Sequence, residues 1–261
     1  MSENDLDARI DRLAQMLQGN ALGKPLVEFA ILQEVEIHMM ENLGRPAYFA
    51  KPFMGPPVIY LNDRFDDYTL FVALAHEARH CAQDMCLQTL LYELSLEEAI
   101  YLNRVLEADA SAYSNAVAYQ QYLDTGDEGF LKGMEVYKEQ DIRDAFIKML
   151  TPGKPLLKDK APFQAAFNQW FSRKSRVNHY DRELINGYSK FQNSFLSAFF
   201  PACSTKITKG LMRSIGDLSY RVNYLRGKGA PDLSLAMYKT VNNPANQRRF
   251  QKTLRKLKIV S

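Results

Sequence analysis

Two histidines one helical turn apart are where this chain could do chemistry. The stretch Leu74-Ala75-His76-Glu77-Ala78-Arg79-His80-Cys81-Ala82-Gln83 spells H-E-x-x-H inside a run that reads as one helix. At about 100° per residue, His76 and His80 fall within about 40° of each other on one face. Imidazoles so placed can offer nitrogens to a single tetrahedral zinc ion at about 2.0–2.1 Å. Glu77 lies beside that face, where it could take the proton of a metal-activated water. Phe71, Leu74, Ala78, Cys81 and Met85 lie roughly opposite and form an apolar stripe, which would face the core and turn the histidines towards a cleft. The same spacing also suits a polar helix face with two unrelated histidines. A third ligand decides.

Glu107 is the candidate. Ser95-Leu96-Glu97-Glu98 reads as a capping box, so a helix should start at about Leu96, and no breaker follows until Gly126. Ala110, Ser111, Ser114 and Ala118 share the Glu107 side of that helix, and small side chains there would let it approach the histidine helix closely. A turn around Glu93-Leu94-Ser95 would make the two helices antiparallel. Two histidines, one carboxylate and a fourth position open to water make a catalytic zinc site. The competing reading pairs Glu107 with Arg104 one turn earlier. Glu97, Glu98 and Asp109 are rival acids, although Asp109 points about 160° away from Glu107.

His76-Glu77-x-x-His80 followed by Glu107 resembles the gluzincin group of zinc metallopeptidases. The fuller pattern, H-E-A-R-H-x-x-Q and then E-A-D-A, is similar to a set of poorly characterised bacterial metallopeptidase domains, and to compact metallopeptidases of mobile elements that cleave repressors. The resemblance is firm over about residues 57–120. It implies a zincin-like core, one zinc ion on His76, His80 and Glu107, Glu77 as general base, and a protein or peptide substrate. In zincins the edge strand beside the cleft binds that substrate as an added strand, a role that would fall to Val58, Ile59, Tyr60 and Leu61, which read equally as an ordinary core-facing strand pair. Zincins also commonly add a downstream oxyanion donor. His179 or Tyr180 could supply it, though the same residues read more readily as polar surface near the start of a helix. One departure stands out. Thermolysin-type members carry an acid four residues after the third ligand that orients a ligand histidine, whereas Ser111 occupies that place here. The groups that steer His76 and His80 are therefore unassigned.

The elements that must position these residues make an α+β chain, mainly α. A length of 261 residues with 46% hydrophobic and 24% charged content is ordinary for a globular protein. An amphipathic helix is expected over 4–18, then a helix giving way to a strand near Glu34, with His38 in a structural role. Short strands at 47–50 and 57–62 would flank a Pro- and Gly-rich loop, giving a small N-terminal sheet or hairpin. Asn62 or Asp66-Asp67 would cap the motif helix. Beyond Gly126 helices are expected at about 128–138, 141–150, 160–173, 180–200, 205–216, 231–240 and 244–257. Phe163, Phe167, Trp170 and Phe171 form a core stripe. Pro152-Gly153-Lys154-Pro155 is the clearest linker, so residues 1–151 read as the metallopeptidase core and 152–261 as a helical region completing the cleft, or the two as one continuous domain.

Charge and cysteines bound the setting. Residues 204–261 carry 13 Lys+Arg and 2 Asp+Glu, or +11, against a whole-chain charge of +3. The basic amphipathic run from Arg248 to Lys258 would dock through Phe250, Leu254 and Leu257 and leave a cationic face. That face suggests a solvated surface, or an acidic partner or nucleic acid, and with it an alternative function as a catalytically inactive binding protein on a zincin scaffold. A zinc hydrolase of non-peptide amides or esters is the third reading. Cys81, Cys86 and Cys203 have no metal-thiolate or disulfide pattern and suggest a reducing cytoplasm. No apolar run approaches the ~20 residues of a membrane span, and the acidic start lacks the apolar segment of a signal peptide.

Overall fold

Two long buried helices carry the candidate site, with a short edge strand beside them. The computed structural model describes residues 3–52, 55–87, 94–135, 138–192, 207–219 and 222–260. The fold is α+β and mainly α, with one three-stranded sheet near its start. Helix α1 (Glu3–Gly19) leads through Asn20 into α2 (Lys24–Leu32). The buried Asn20 accepts the N–H groups of Leu22 and Gly23 and donates to Val117 and Gln121, so it both makes the turn and ties it to a later helix. The expected change from helix to strand occurs at Glu34, which takes a left-handed φ of 52°. Strands β1 (Glu36–Met40), β2 (Ala47–Ala50) and β3 (Val58–Asn62) follow. His38 is exposed on β1 and pairs with Glu36.

The sheet order is β1-β3-β2, and this corrects one expectation. Val58, Ile59, Tyr60 and Leu61 are not an edge. They form the central strand, parallel to Glu36–Met39 on one side and antiparallel to Ala47–Ala50 on the other. The physical reason is visible in the run itself: Val58, Ile59, Leu61 and Asn62 are all buried, as a strand covered on both faces requires. The edge that runs beside the histidines belongs to β2.

Helix α3 (Asp67–Leu87) carries the H-E-x-x-H motif. Asp66 caps it by accepting the Thr69 N–H, and Asp67 pairs with Arg9 and Arg12 of α1 at 2.6 and 3.0 Å. Helix α4 (Leu96–Thr125) starts at Ser95, whose hydroxyl accepts the Glu98 N–H, and ends at Gly126 with a left-handed φ of 72°. Only half of the capping box forms, because the Glu98 carboxylate accepts the Ile207 N–H instead. Both helices are covered on more than the expected face. Every residue from Thr69 to Arg79 is buried, and so is most of α4 from Leu96 to Ala118. They pack against each other as the central layer of the molecule.

The helix expected over 128–138 divides into α5 (Gly129–Lys132) and a 3-10 turn (Gly133–Glu135). A Cβ at Gly133 would lie 2.6 Å from the Tyr68 carbonyl, so only glycine lets this turn abut the start of α3. Helices α6 (Gln140–Lys148), α7 (Lys160–Ser172) and α8 (Lys174–Gln192) come next. Helix α8 begins six residues earlier than expected, so His179 and Tyr180 lie in its second turn rather than at its start. The expected segment 193–200, residues 205–206, Glu93, and the side chains of Met85, Cys86, Cys203 and Leu257 lie outside what is described. Helix α9 (Lys209–Ser214) runs into a 3-10 turn (Ile215–Ser219). The helix expected over 231–240 shrinks to one turn, α10 (Ala236–Lys239), because Asp232 folds back on Ser234 as a local turn. Helix α11 (Pro244–Val260) docks Phe250 and Leu254 on Leu96, Ile100 and Ile185, and exposes Arg248, Arg249, Lys252 and Arg255. Phe163, Phe167, Trp170 and Phe171 are buried, within one core that extends from Leu13 to Tyr238. No described helix is long and apolar enough to cross a membrane.

Arg104 does not pair with Glu107. Its guanidinium makes a bidentate pair with Asp181 of α8 at 2.8 and 2.7 Å and donates to the Tyr238 and Thr240 carbonyls, all with almost no exposure. This clamp holds α8 and the α10 turn on α4. Asp181→Ala should lower unfolding stability by about 3–5 kcal/mol, the effect of stranding a buried charge. The double change Arg104→Met with Asp181→Leu should recover most of that loss. Urea midpoints of the three variants provide the check.

Candidate metal centre

His76 and His80 project from α3 with Nε2 atoms 3.0 Å apart. Glu107 reaches them from α4, its Oε2 lying 3.6 Å from His76 Nε2 and 3.5 Å from His80 Nε2. Among the described residues these three are the group able to offer atoms to one metal ion. A tetrahedral zinc with bonds of about 2.0–2.1 Å would set its ligand atoms about 3.4 Å apart, close to each side of this triangle. Glu107 Oε2 is buried and has no hydrogen-bond partner, since both histidines lie at ion-pair rather than hydrogen-bond distance. A buried carboxylate oxygen left so is costly unless a cation meets it. On donor type, spacing and the stranded oxygen, the residues fit a zinc ion.

The close approach of Glu107 comes from small residues on α4. Ala110, Ser111, Ser114 and Ala118 are all buried at the junction. Electrostatically the triangle is one coupled unit. Burial opposes charge on His80, but the Glu107 carboxylate, helped by Glu77 and the Gln83 oxygen, outweighs it and pushes the imidazole up to about 9. Burial likewise opposes charge on Glu107, and His80 and His76 overcome it, holding the carboxyl well below the usual carboxylate range.

Three groups that support the triangle carried no assignment in the sequence. The first is Gln83, whose Oε1 faces His80 Nδ1 at 2.8 Å. Its Nε2 donates to Leu106 O at 3.0 Å and to Asp109 Oδ2 at 2.7 Å, which settles the amide orientation. The oxygen facing Nδ1 can only accept, so Nδ1 carries hydrogen in either charge state and the lone pair of the neutral ring falls on Nε2. The second is Asp109, no rival ligand in space: it also takes Arg79 Nε at 2.7 Å and the Tyr224 hydroxyl. The third is Glu139, buried in the loop before α6, which accepts from Ser111 Oγ at 2.6 Å and from Asn115. Burial raises its carboxyl, against the pull of nearby His76. The only local signal for any of them is the Gln three residues after His80.

A cleft of about 1020 Å³ opens onto the triangle. Glu77 stands at its side and accepts the Phe49 N–H of β2 through Oε2 at 3.0 Å. Residues 44–49 form one wall, and Lys138, Arg173, Arg176, His179 and Tyr180 line another. The His179 ring is held by Arg182 at 2.9 Å and lies 3.7 Å from Glu183, while Tyr180 packs on Trp170. Arg45 spans the two walls through Glu183 at 3.2 Å. Val58, Ile59, Tyr60 and Leu61 do not line the cleft.

A mainly helical chain that turns a paired-histidine helix and a carboxylate from a second helix towards one open cleft has the features of a metal-dependent hydrolase. The chain belongs to the putative metallopeptidase family DUF6782, whose family model matches residues 2–219. That span extends the resemblance well beyond 57–120, and α10 and α11 lie after it. No curated protein and no solved structure matches the chain.

In the metal-free protein the His80–Glu107 pair, one interaction seen from its two ends, should give stability a definite pH dependence. His80 is raised from its unfolded value near 6.5, so the contribution is full below that pH and disappears as pH climbs through about 9. Glu107 is depressed, so the same contribution fades again as pH falls through and below the unfolded carboxyl value near 4.5. Glu107→Gln should abolish the alkaline loss and lower the His80 titration midpoint, which imidazole NMR would read directly.

Proposed function

We propose that the protein is a gluzincin-type zinc metallopeptidase with a zincin-like core, in which His76, His80 and Glu107 hold one zinc ion. The observation that carries this reading is the triangle of two Nε2 atoms and one carboxylate oxygen with sides of 3.0, 3.5 and 3.6 Å. Bound zinc would supply Lewis acidity, lowering the pKa of a water and polarising a scissile carbonyl. Glu77 is the general base. It takes the proton of the attacking water and delivers it to the leaving nitrogen, while the Phe49 N–H keeps one of its oxygens fixed. His179 or Tyr180, both on the cleft wall, steadies the oxyanion.

The substrate is a protein or peptide lying along β2 rather than β3. Pro46 O accepts the Asn62 N–H, so the alternation of an antiparallel pair turns the backbone groups of Ala47 and Phe49 outward, away from β3. The Phe49 N–H is engaged by Glu77 and Ala47 is buried, which leaves the Phe49 C=O as the outward group for an added strand. The region 152–261 completes the cleft begun by 1–151, through Arg173, Arg176, His179 and Tyr180. Free, buried Cys81 supports a reducing, cytoplasmic setting.

Glu77→Gln should keep about one zinc per chain and lower peptide hydrolysis by about 10²–10⁴-fold. Glu107→Ala should lose the metal as well as the activity. Metal analysis after dialysis, with a peptide-cleavage assay, reads both; activity retained in either variant refutes the assignment.

A second reading has its own observation: Arg248, Arg249, Lys252 and Arg255 are exposed on α11 and form no ion pair among the described residues. They support contact with an acidic partner or nucleic acid. DNA binding that is absent even at about 50 mM salt would remove the nucleic-acid form of it.

A further inference from the structure

Among the described residues, two of the four Lys and Arg residues that line the cleft have no acid paired with them. Arg45 is paired with Glu183, which also faces His179, and Asp84 is paired with Lys51 at 2.8 Å. Arg176 is buried and paired with Asp141 at 2.6 Å. Glu139 is turned inward to Ser111 and Asn115. Two cations remain. Lys138 and Arg173 both line the cleft, both are exposed, and neither forms an ion pair among the described residues. Asp141 feels the Arg173 charge but is occupied by Arg176 with two contacts.

The same two residues are also joined through backbone. Arg173 Nη1 donates to the Lys138 carbonyl at 2.6 Å, and Arg176 Nη2 donates to the same oxygen at 3.0 Å. Lys138 adopts a φ of 56°, a left-handed conformation that disfavours a lysine by about 1 kcal/mol and that glycine would take without strain. Two unpaired cations on one rim and a lysine in a glycine's conformation both carry a cost. Both features make sense if an anion comes to this rim. Ser175, in the first turn of α8, lines the same wall, so the positive end of that helix adds to the field.

We propose that Lys138 and Arg173 form a docking point for a carboxylate of the bound peptide, so that the cleft selects substrates carrying an acidic group to one side of the scissile bond. The proposal rests on the metallopeptidase reading for the identity of the bound chain. The carboxylate has two possible sources, an Asp or Glu side chain or the free C-terminus of the peptide. An ammonium beside a guanidinium suits both, the guanidinium offering paired donors to the two oxygens and the ammonium a point charge.

The test measures binding and does not depend on turnover. The zinc-loaded Glu77→Gln protein is titrated by fluorescence anisotropy with matched peptides differing only as Glu against Gln, Asp against Asn, and free against amidated C-terminus. Carboxylate peptides should bind about tenfold to a hundredfold more tightly than their neutral twins, with the preference shrinking as salt rises. Which pair of twins separates identifies the source. Lys138→Gly should erase most of the preference while leaving the fold as stable or more so, because it removes the ammonium and the left-handed strain together. Lys138→Glu with Arg173→Glu should reverse the preference towards Lys-containing peptides. Equal binding of all twins, no binding of any peptide, or a preference that survives the double reversal overturns the docking point. A clear carboxylate preference in a protein that never cleaves a peptide sinks the peptidase reading alone.

Discussion

Asp109 sits with no exposed surface between α3 and α4 and accepts hydrogen bonds from Arg79, Gln83 and Tyr224. A lone carboxylate there would be severely destabilising; one cation and two neutral donors together make it tolerable. Arg79 donates onward to the Ile215 carbonyl, and its guanidinium carbon lies 4.7 Å over the Tyr113 ring, a cation–π contact that adds to the pairing with Asp109. The set is satisfied only in one register of the two helices. Sliding α4 by a single residue would shift it 1.5 Å and turn it 100°, stranding Asp109 and carrying Glu107 off the histidines at once. The geometry of the triangle is thus inherited from a packing constraint two residues away, and the Gln83 link passes that constraint directly to the His80 ring.

The small sheet has a comparable double task. Its central strand is buried on both faces and anchors β2 against the core, while the outward Phe49 N–H reaches Glu77. The strand proposed to receive a peptide is therefore the strand that orients the proposed base. An unpaired edge is normally a liability that invites other chains. Here the edge is only four residues long and α3 packs against it, which limits what can pair to a segment threaded through the cleft.

Much of this was legible in the sequence because it depends on short spacings. The four-residue interval of His76 and His80, the Ser95 cap, the Gly126 stop and the aromatic stripe from Phe163 to Phe171 are local facts, and local hydrogen bonding and helical period decide them. Glu107 followed from which residues share its helical face. What stayed hidden depends on partners far along the chain. Arg104 passes over its neighbour Glu107 for Asp181, 77 residues on, because only there can a guanidinium be buried with a bidentate partner. Val58–Leu61 reads as apolar whether it is central or an edge, and the order β1-β3-β2 rests on a parallel pairing that no turn motif announces. Gln83 and Asp109 look like surface polar residues until their 26-residue hydrogen bond is known.

Ser111 illustrates why a departure from a motif need not be a loss. A hydroxyl stands where the proposed gluzincin pattern would have an acid, and that hydroxyl and Asn115 together fix the Glu139 carboxylate, brought in from a loop 28 residues later. A carboxyl group near His76 is supplied from a different point on the chain. The substitution has a consequence for the outer cleft. Glu139 is preceded by Lys138, and the left-handed turn that aims one inward exposes the other, with Arg173 and Arg176 locking the carbonyl between them. Inner carboxylate and outer cation are adjacent residues of one clamped loop. A change that loosens the loop must disturb both the surroundings of the histidines and the charge presented at the cleft, so on this scaffold the proposed metal support and the proposed choice of bound chain cannot be tuned apart.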